Sequence, residues 1–195
     1  MDAVEAIHGR RSIRDYLLRP VEQALITAII DDAAQAPWTP ISAPEPRVFT
    51  VVRGVKRIRV YGDRALQYAR ENRPNRDGYG WTENPDFSVF FNAPVVIIIS
   101  GKTSNRLALE ECTRAGQILA ISGLAHGLGT CWVGSPMLWL GDPDVRAELL
   151  IPEGFAPYAV FTLGYPATIP ANPKRITTRT SWLGEDETAP ESRPR

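Results

Sequence analysis

Between residues 21 and 35 the apolar side chains Leu25, Ile26, Ile29 and Ala33 recur at helical spacing, and Ala36 continues the row. That spacing predicts an amphipathic helix over 21–35, with Pro20 opening it near its first helical position. A shorter helix is predicted over 2–9, where Asp2 can cap and Glu5, three residues later, completes a capping box. The period then changes. RVFTVV at 47–52 is β-branched and aromatic and reads as a strand. PVVIIIS at 94–100 is apolar on both faces, which predicts a central strand covered from both sides. PYAVFTLGYP at 157–166 is the last clear strand, and GTCWVGS at 129–135 is a short strand or loop.

Between these strands the pattern predicts a charged helix over about 55–72, the longest helix over 105–126, and another helix capped by Asp142 with Pro143 in its first turn. The prolines of APWTPISAPEP at 36–46 forbid regular structure there. A second loop, 73–87, carries Tyr79, Trp81 and Phe87, and is either a cover over a site or a surface excursion. The expected order is two helices and then strands alternating with helices. It reads as one domain over 1–184, with a disordered polar tail at 185–195.

The long helix carries a stripe of small residues, Gly116, Ala120, Gly123 and Gly127, spaced by four, three and four. Such a stripe permits close packing, either inside the chain or against a second copy. Each interior glycine costs about 1 kcal/mol relative to alanine, so close packing must offset it. Beyond the stripe, Gly127 is expected to cap the helix, leaving HGLGTCWVGS at 126–135 with backbone amides near the surface.

Charge narrows the function. Lys plus Arg and Asp plus Glu are both 22 in 195 residues, so no overall field attracts nucleic acid or a membrane surface. Any anion site must be local. The longest strongly apolar run, at 93–99, is too short to span a bilayer, and the N-terminus does not read as a signal peptide. Cys112 and Cys131 form no CxxC pair and are expected as free thiols, which points to the cytoplasm.

The densest positive charge is HGRRSIRDY at 8–16, with Arg10, Arg11, Ser12 and Arg14. Guanidinium groups and a hydroxyl suit phosphate oxygens. The alternative is a solvated basic turn with Asp15 and Glu5 as local partners. The usual catalytic groups are absent from the pattern. His8 and His126 lack ligand-spaced neighbours, so no metal is expected, and Ser135 is in no nucleophile elbow. Cys131 reads as a buried thiol and Glu110-Glu111 as helix surface. An enzyme so equipped borrows its chemistry from an organic cofactor.

Three motifs together resemble the FMN-dependent nitroreductase family: RRSIRDY at 10–16, EECTRAGQILAISGLAHGLGTCWVGS at 110–135, and IPEGFAPYAVFTLGYP at 151–166 followed by PKR at 173–175. The resemblance implies an α+β fold. A mixed central sheet would be surrounded by helices, and two chains would form an intertwined homodimer with FMN at each interfacial site. It implies that Arg10 and Ser12 hold the FMN phosphate, with Arg11 on the phosphate or ribityl side. Arg14 would lie near the pyrimidine edge, and Lys174 and Arg175 would return to the phosphate. Trp132, Val133, Gly134 and Ser135 would line the ring, with a backbone N–H near flavin N5.

The implied activity is transfer of hydride from NAD(P)H through flavin N5 to an electron-poor small molecule, in ping-pong fashion. A nitroaromatic, a quinone or an activated alkene would serve as acceptor. The alternatives are a flavin dehalogenase or dehydrogenase with little NAD(P)H turnover, or a non-enzymatic FMN-binding module. The sequence departs from the family in the loop that reads A-P-S-x-x-N-x-Q-P-W elsewhere. Ala36-Pro37 matches, but Trp38 replaces a small residue. Trp38 is expected either to narrow the pocket by stacking on a planar ligand or to pack at a dimer seam. Trp38, Thr39 and Trp81 are the candidate substrate contacts.

Overall fold

The computed structural model describes residues 1–40, 44–73, 78–171 and 178–184. The tail 185–195, together with Lys174 and Arg175, lies outside the described residues. Four strands form the sheet: β1 (Arg47–Arg53), β2 (Val95–Lys102), β3 (Gly129–Trp132) and β4 (Phe155–Gly164), in the spatial order β1-β2-β4-β3. All three pairings are antiparallel. Parallel pairing is confined, among the described residues, to one isolated bridge between Ser12 and Thr130. The helices are α1 (Ala3–Gly9), α2 (Gln23–Ala34), α3 (Val55–Asn72), α4 (Ala108–Ala125), α5 (Met137–Leu140) and α6 (Pro143–Glu148). The fold is α+β, with helices on both faces of the sheet.

β2 is buried over seven of its eight residues, as its unbroken apolar run requires. Its side chains alternate between faces. Val95, Ile97 and Ile99 join α2 and α4 through Ile29, Ala115 and Leu119. Val96 and Ile98 join α3, α5 and α6 through Ile58, Trp139 and Val145. On that second face Arg64 grips Glu148 with two hydrogen bonds of 2.8 and 2.7 Å, tying α3 to α6.

The predicted caps are present. Asp2 and Glu5 form the capping box on α1. The Asp142 carboxylate accepts from Asp144 N–H, with Pro143 opening α6. Two boundaries move. α2 begins at Gln23, not at Pro20. Residues 19–22 are instead held to the end of β4, because Arg19 stacks 3.9 Å over the Tyr165 ring and the Tyr165 hydroxyl donates to Glu22 at 2.8 Å. α4 begins at Ala108, not at residue 105, because the Asn105 side chain accepts from Leu107 N–H and forms a turn there. The short α5 and a 3-10 turn at Gly80–Glu83 had no signal in the hydrophobic pattern.

The small-residue stripe of α4 packs inward. A Cβ on Gly116 would stand 2.5 Å from the Phe161 ring of β4, and one on Gly123 2.9 Å from Thr130 Cγ2 of β3. At its end Gly127 adopts φ +76, Leu128 N–H donates to Gly123 O, and Gly127 N–H donates to Leu124 O. This is the predicted left-handed cap.

One expectation is corrected. Glu110 is exposed, but Glu111 is fully buried. Its carboxylate accepts from both the backbone N–H and the hydroxyl of Thr39 at 2.8 Å. Beside it the buried Arg47 guanidinium donates to the carbonyls of Ala34, Ala36, Pro37 and Glu111. Burial lowers the pKa of Arg47, and the nearby Cys112 and Glu111 oppose that shift. A carboxylate is tolerated in such a place only when hydrogen-bonded.

Gly116→Ala should destabilise the chain by about 1–3 kcal/mol, since β4 cannot retreat from the new methyl group. A lowered urea midpoint at unchanged slope would register it. Cys112 and Cys131 are free and buried, and burial pushes their thiols up, that of Cys112 to about 12. Iodoacetamide at pH 7 should leave the native chain unlabelled and modify both thiols after denaturation, as read by mass spectrometry.

Candidate functional site

α1 ends at Gly9, and the chain then runs extended along the outer edge of β3. Ile13 N–H donates to Thr130 O at 2.9 Å, so the arginine-bearing segment occupies a sheet edge that would otherwise be unpaired. Further on, Leu17 N–H donates to Tyr165 O and Ala167 N–H to Asp15 O. Inside this strap Ile13 and Tyr16 are buried, while Arg10, Arg11 and Ser12 are half-buried and Arg14 is exposed. The buried pair is three residues apart, and the Tyr16 hydroxyl bonds back to Ile13 O, so a turn and not strand alternation sets the division.

The strap separates two clefts. One, of about 230 Å³, is lined by Arg10, Arg11 and Ile13 together with Leu124 and Gly127–Thr130 at the end of α4. The other, of about 490 Å³, is lined by Arg14 and Tyr16 facing Arg59, Asp86, Phe87 and Phe91. Among the described residues neither Arg10 nor Arg14 has a carboxylate partner. Arg11 is differently engaged, because its Nη1 donates at 2.8 Å to the carbonyls of both His8 and Arg10 and so closes the end of α1. The basic turn is therefore not neutralised by Asp15 and Glu5. Asp15 accepts from Thr168, and Glu5 is spent on the capping box.

The second predicted segment meets the strap through Cys131. Burial pushes that thiol up, and Arg14, a hydrogen bond from Ser12, and Arg10 oppose the shift. Trp132 follows it at the end of β3, 41% exposed, with its ring 5.3 Å from that of Phe161. Val133 is buried and its N–H is spent on Val160 O at 2.9 Å. The N–H groups of Gly134 and Ser135 have no acceptor among the described residues. Arg10, Ser12 and Arg14 therefore act on Cys131, which Trp132–Ser135 follow in the chain, while Arg10 and Arg14 line different clefts.

The candidate substrate contacts do not join them within one chain. Thr39 is bound to Glu111 in the first turn of α4, whereas the Arg10 cleft lies at that helix's other end. Thirteen residues of helix place the two roughly 20 Å apart. Trp38 is 43% exposed at the far end. Trp81 is half-buried between Tyr79 and Phe87, at ring distances of 6.2 and 5.1 Å, and stands behind the cleft wall that Phe87 forms.

Sequence reasoning missed Arg59 and the stretch 88–92, whereas Phe87 of the same cleft belongs to the 73–87 loop singled out above. Arg59 sits on the charged face of α3, forty-five positions from Arg14, and only folding brings it to the same cleft. Its Nη2 donates to Asn92 Oδ1 at 3.3 Å. Phe91 and Asn92 both have φ +54, a left-handed conformation that nothing in FFNAP announces. It turns the Phe91 ring towards the Arg14 guanidinium, 5.8 Å from the ring centre.

No described helix is long and apolar enough to cross a membrane. The sequence profile of the Nitroreductase family matches residues 7–165. A Methanothermobacter thermautotrophicus protein, provisionally named NADH dehydrogenase/NAD(P)H nitroreductase, is 32% identical over 176 residues, which cover 87% of this chain and 80% of the relative. A nitroreductase with bound FMN from Bacteroides fragilis superposes with a TM-score of 0.81 at 23% identity, over 95% of this chain and 100% of its own. One with bound FMN from Desulfitobacterium hafniense gives 0.74 at 22% identity, over 92% and 100%. The three motifs, the profile match over most of the sequence and the 32% identical relative agree, and the chain belongs to the Nitroreductase family.

Proposed function

We propose that the protein is an FMN-dependent NAD(P)H oxidoreductase that reduces an electron-poor small molecule. The observation that carries this reading is the pair of guanidinium groups, Arg10 and Arg14, left without carboxylate partners on one strap beside β3. The residues present fit the cofactor. Unneutralised cations and the Ser12 hydroxyl suit a phosphate, and the two amides without acceptors at Gly134 and Ser135 suit the polar rim of a flat ring. The FMN-bound nitroreductases and the NAD(P)H-named relative support the same choice.

FMN bound here would supply the redox chemistry, taking a hydride from NAD(P)H and returning reducing equivalents to the acceptor. The chain's own groups bind and orient. Arg10 and Ser12 hold the phosphate, and Lys174 and Arg175 add charge to it. Arg14 would lie near the pyrimidine edge of the bound cofactor, where a fixed cation favours the reduced form. Val133 N–H is committed to β4, so of this stretch the Gly134 and Ser135 N–H groups are those that would be available to donate to the ring. Trp132 supplies an apolar wall. No general base from the protein is needed.

A homodimer completes the site in this reading. Trp38 and Thr39 are too far from this chain's strap to serve it, and Trp38 would instead reach the partner's site. Exposed Val4 and Ile7 on α1, Leu109 on α4, and Trp182 and Leu183 near the end of the described chain support a large apolar interface. Nitroaromatics, quinones and activated alkenes are the acceptors, in a ping-pong cycle.

The purified protein should be yellow, bleach anaerobically with NADH or NADPH, and regain colour on addition of a nitroaromatic. Absence of bleaching with either nucleotide would remove the oxidoreductase and leave a flavin carrier. Arg10→Ala should weaken FMN binding by about 1.5–3 kcal/mol, one charge-assisted hydrogen bond, as measured by fluorescence titration. Arg14→Ala should lower the midpoint potential of the bound flavin, and an unchanged potential in a redox titration would refute its assigned role.

A further inference from the structure

Gly129 and Gly164 face each other across the β3–β4 pair. A Cβ on Gly129 would lie 2.5 Å from Ile13 Cγ1, and one on Gly164 would lie 2.9 Å from Tyr16 Cδ1. Two absent side chains open a slot at the sheet edge: Ile13 fills it over Gly129, and Tyr16 shares the space over Gly164 with the Pro94 ring, 2.7 Å from that Cβ position. With Ala93 they form a small apolar cluster of their own, against which Phe91 packs.

The ring of Tyr16 is buried, but its hydroxyl is not idle. It donates to Ile13 O at 2.7 Å and lies 2.7 Å from Thr162 Oγ1. A carbonyl only accepts, so the phenol hydrogen goes to Ile13, and the one Thr162 hydroxyl hydrogen is shared between Tyr16 Oη and Cys131 O, 3.3 Å away. Burial raises the pKa of Tyr16 far above its ordinary value, so the phenol remains a donor. The bond closes a four-residue turn that carries Arg14 and Asp15 between its ends. Thr162 anchors that turn to β4, a strand in the middle of the sheet.

We propose that Tyr16 is a positioning residue for Arg14: its hydroxyl locks the Ile13–Tyr16 turn into the glycine slot and thereby fixes where the Arg14 charge stands in the cofactor site. A phenylalanine would fill the slot as well but could make neither bond, so the role of the hydroxyl is separable from packing. The proposal rests on the reading of Arg14 given under Proposed function.

The test is a double-mutant cycle between Tyr16→Phe and Arg14→Ala. In the wild-type background Tyr16→Phe should raise the Kd for FMN about three- to tenfold, the size of one hydrogen bond. It should also lower the flavin's midpoint potential. In the Arg14→Ala background it should change neither. Equal shifts in both backgrounds, or none in the wild type, would overturn the role. Amide hydrogen exchange on the cofactor-free protein reads the strap without any flavin. Exchange at Ile13 and Leu17, which bond to Thr130 and Tyr165, should quicken in Tyr16→Phe. Unchanged exchange in a protein that binds FMN would overturn the role of Tyr16 alone. Failure of the wild-type protein to bind FMN would instead overturn the cofactor reading beneath it.

Discussion

The close seat of α4 on the sheet is the constraint on which the rest depends. Gly116 lets the Phe161 ring come against the helix backbone, and Gly123 does the same for Thr130. Glycines are a poor choice for a helix interior by local propensity, and dispersion contacts along that seam offset the cost. Once seated, α4 is a rigid bar with different work at its two ends. Its first turn buries Glu111, which holds Thr39 and so the start of the proline-rich loop. Its last turn closes over Gly127 and delivers the chain directly into β3.

The two ends also differ in electrostatics. At the Glu111 end the charges are buried and mostly hydrogen-bonded: Arg47 Nη1 and Nη2 donate to backbone carbonyls, while its buried Nε has no acceptor among the described residues. That arrangement is structural, since a buried carboxylate left without donors would cost several kcal/mol. At the β3 end the arginines stand at the surface without carboxylates to neutralise them. The strap carries both because its buried residues Ile13 and Tyr16 anchor the segment to the sheet edge.

Legibility follows from range. The capping box of α1, the cap of α6 and the left-handed end of α4 are local bargains between neighbours, and each was readable from a few residues. The start of α2 was misplaced because Arg19 and Glu22 are drawn to Tyr165, more than 140 positions away. Glu111 was read as surface because its donor, Thr39, is 72 positions distant. Arg59 and the left-handed pair Phe91–Asn92 carried no signal, since a strained backbone is held by its surroundings and not by its own residue types.

By itself, then, the sequence determined the succession of helices and strands, the doubly buried β2, and the arginine and glycine motifs that carry the family resemblance. These are properties of periodicity and of residue type, which short segments express without help. Only the tertiary structure decided that the glycine stripe faces the sheet, that Arg10 and Arg14 have no carboxylate partner, and that Trp38 stands at the opposite end of α4 from the strap. Whether a charge is neutralised, and how far one residue lies from another, depends on which distant segments meet. No local rule carries that information.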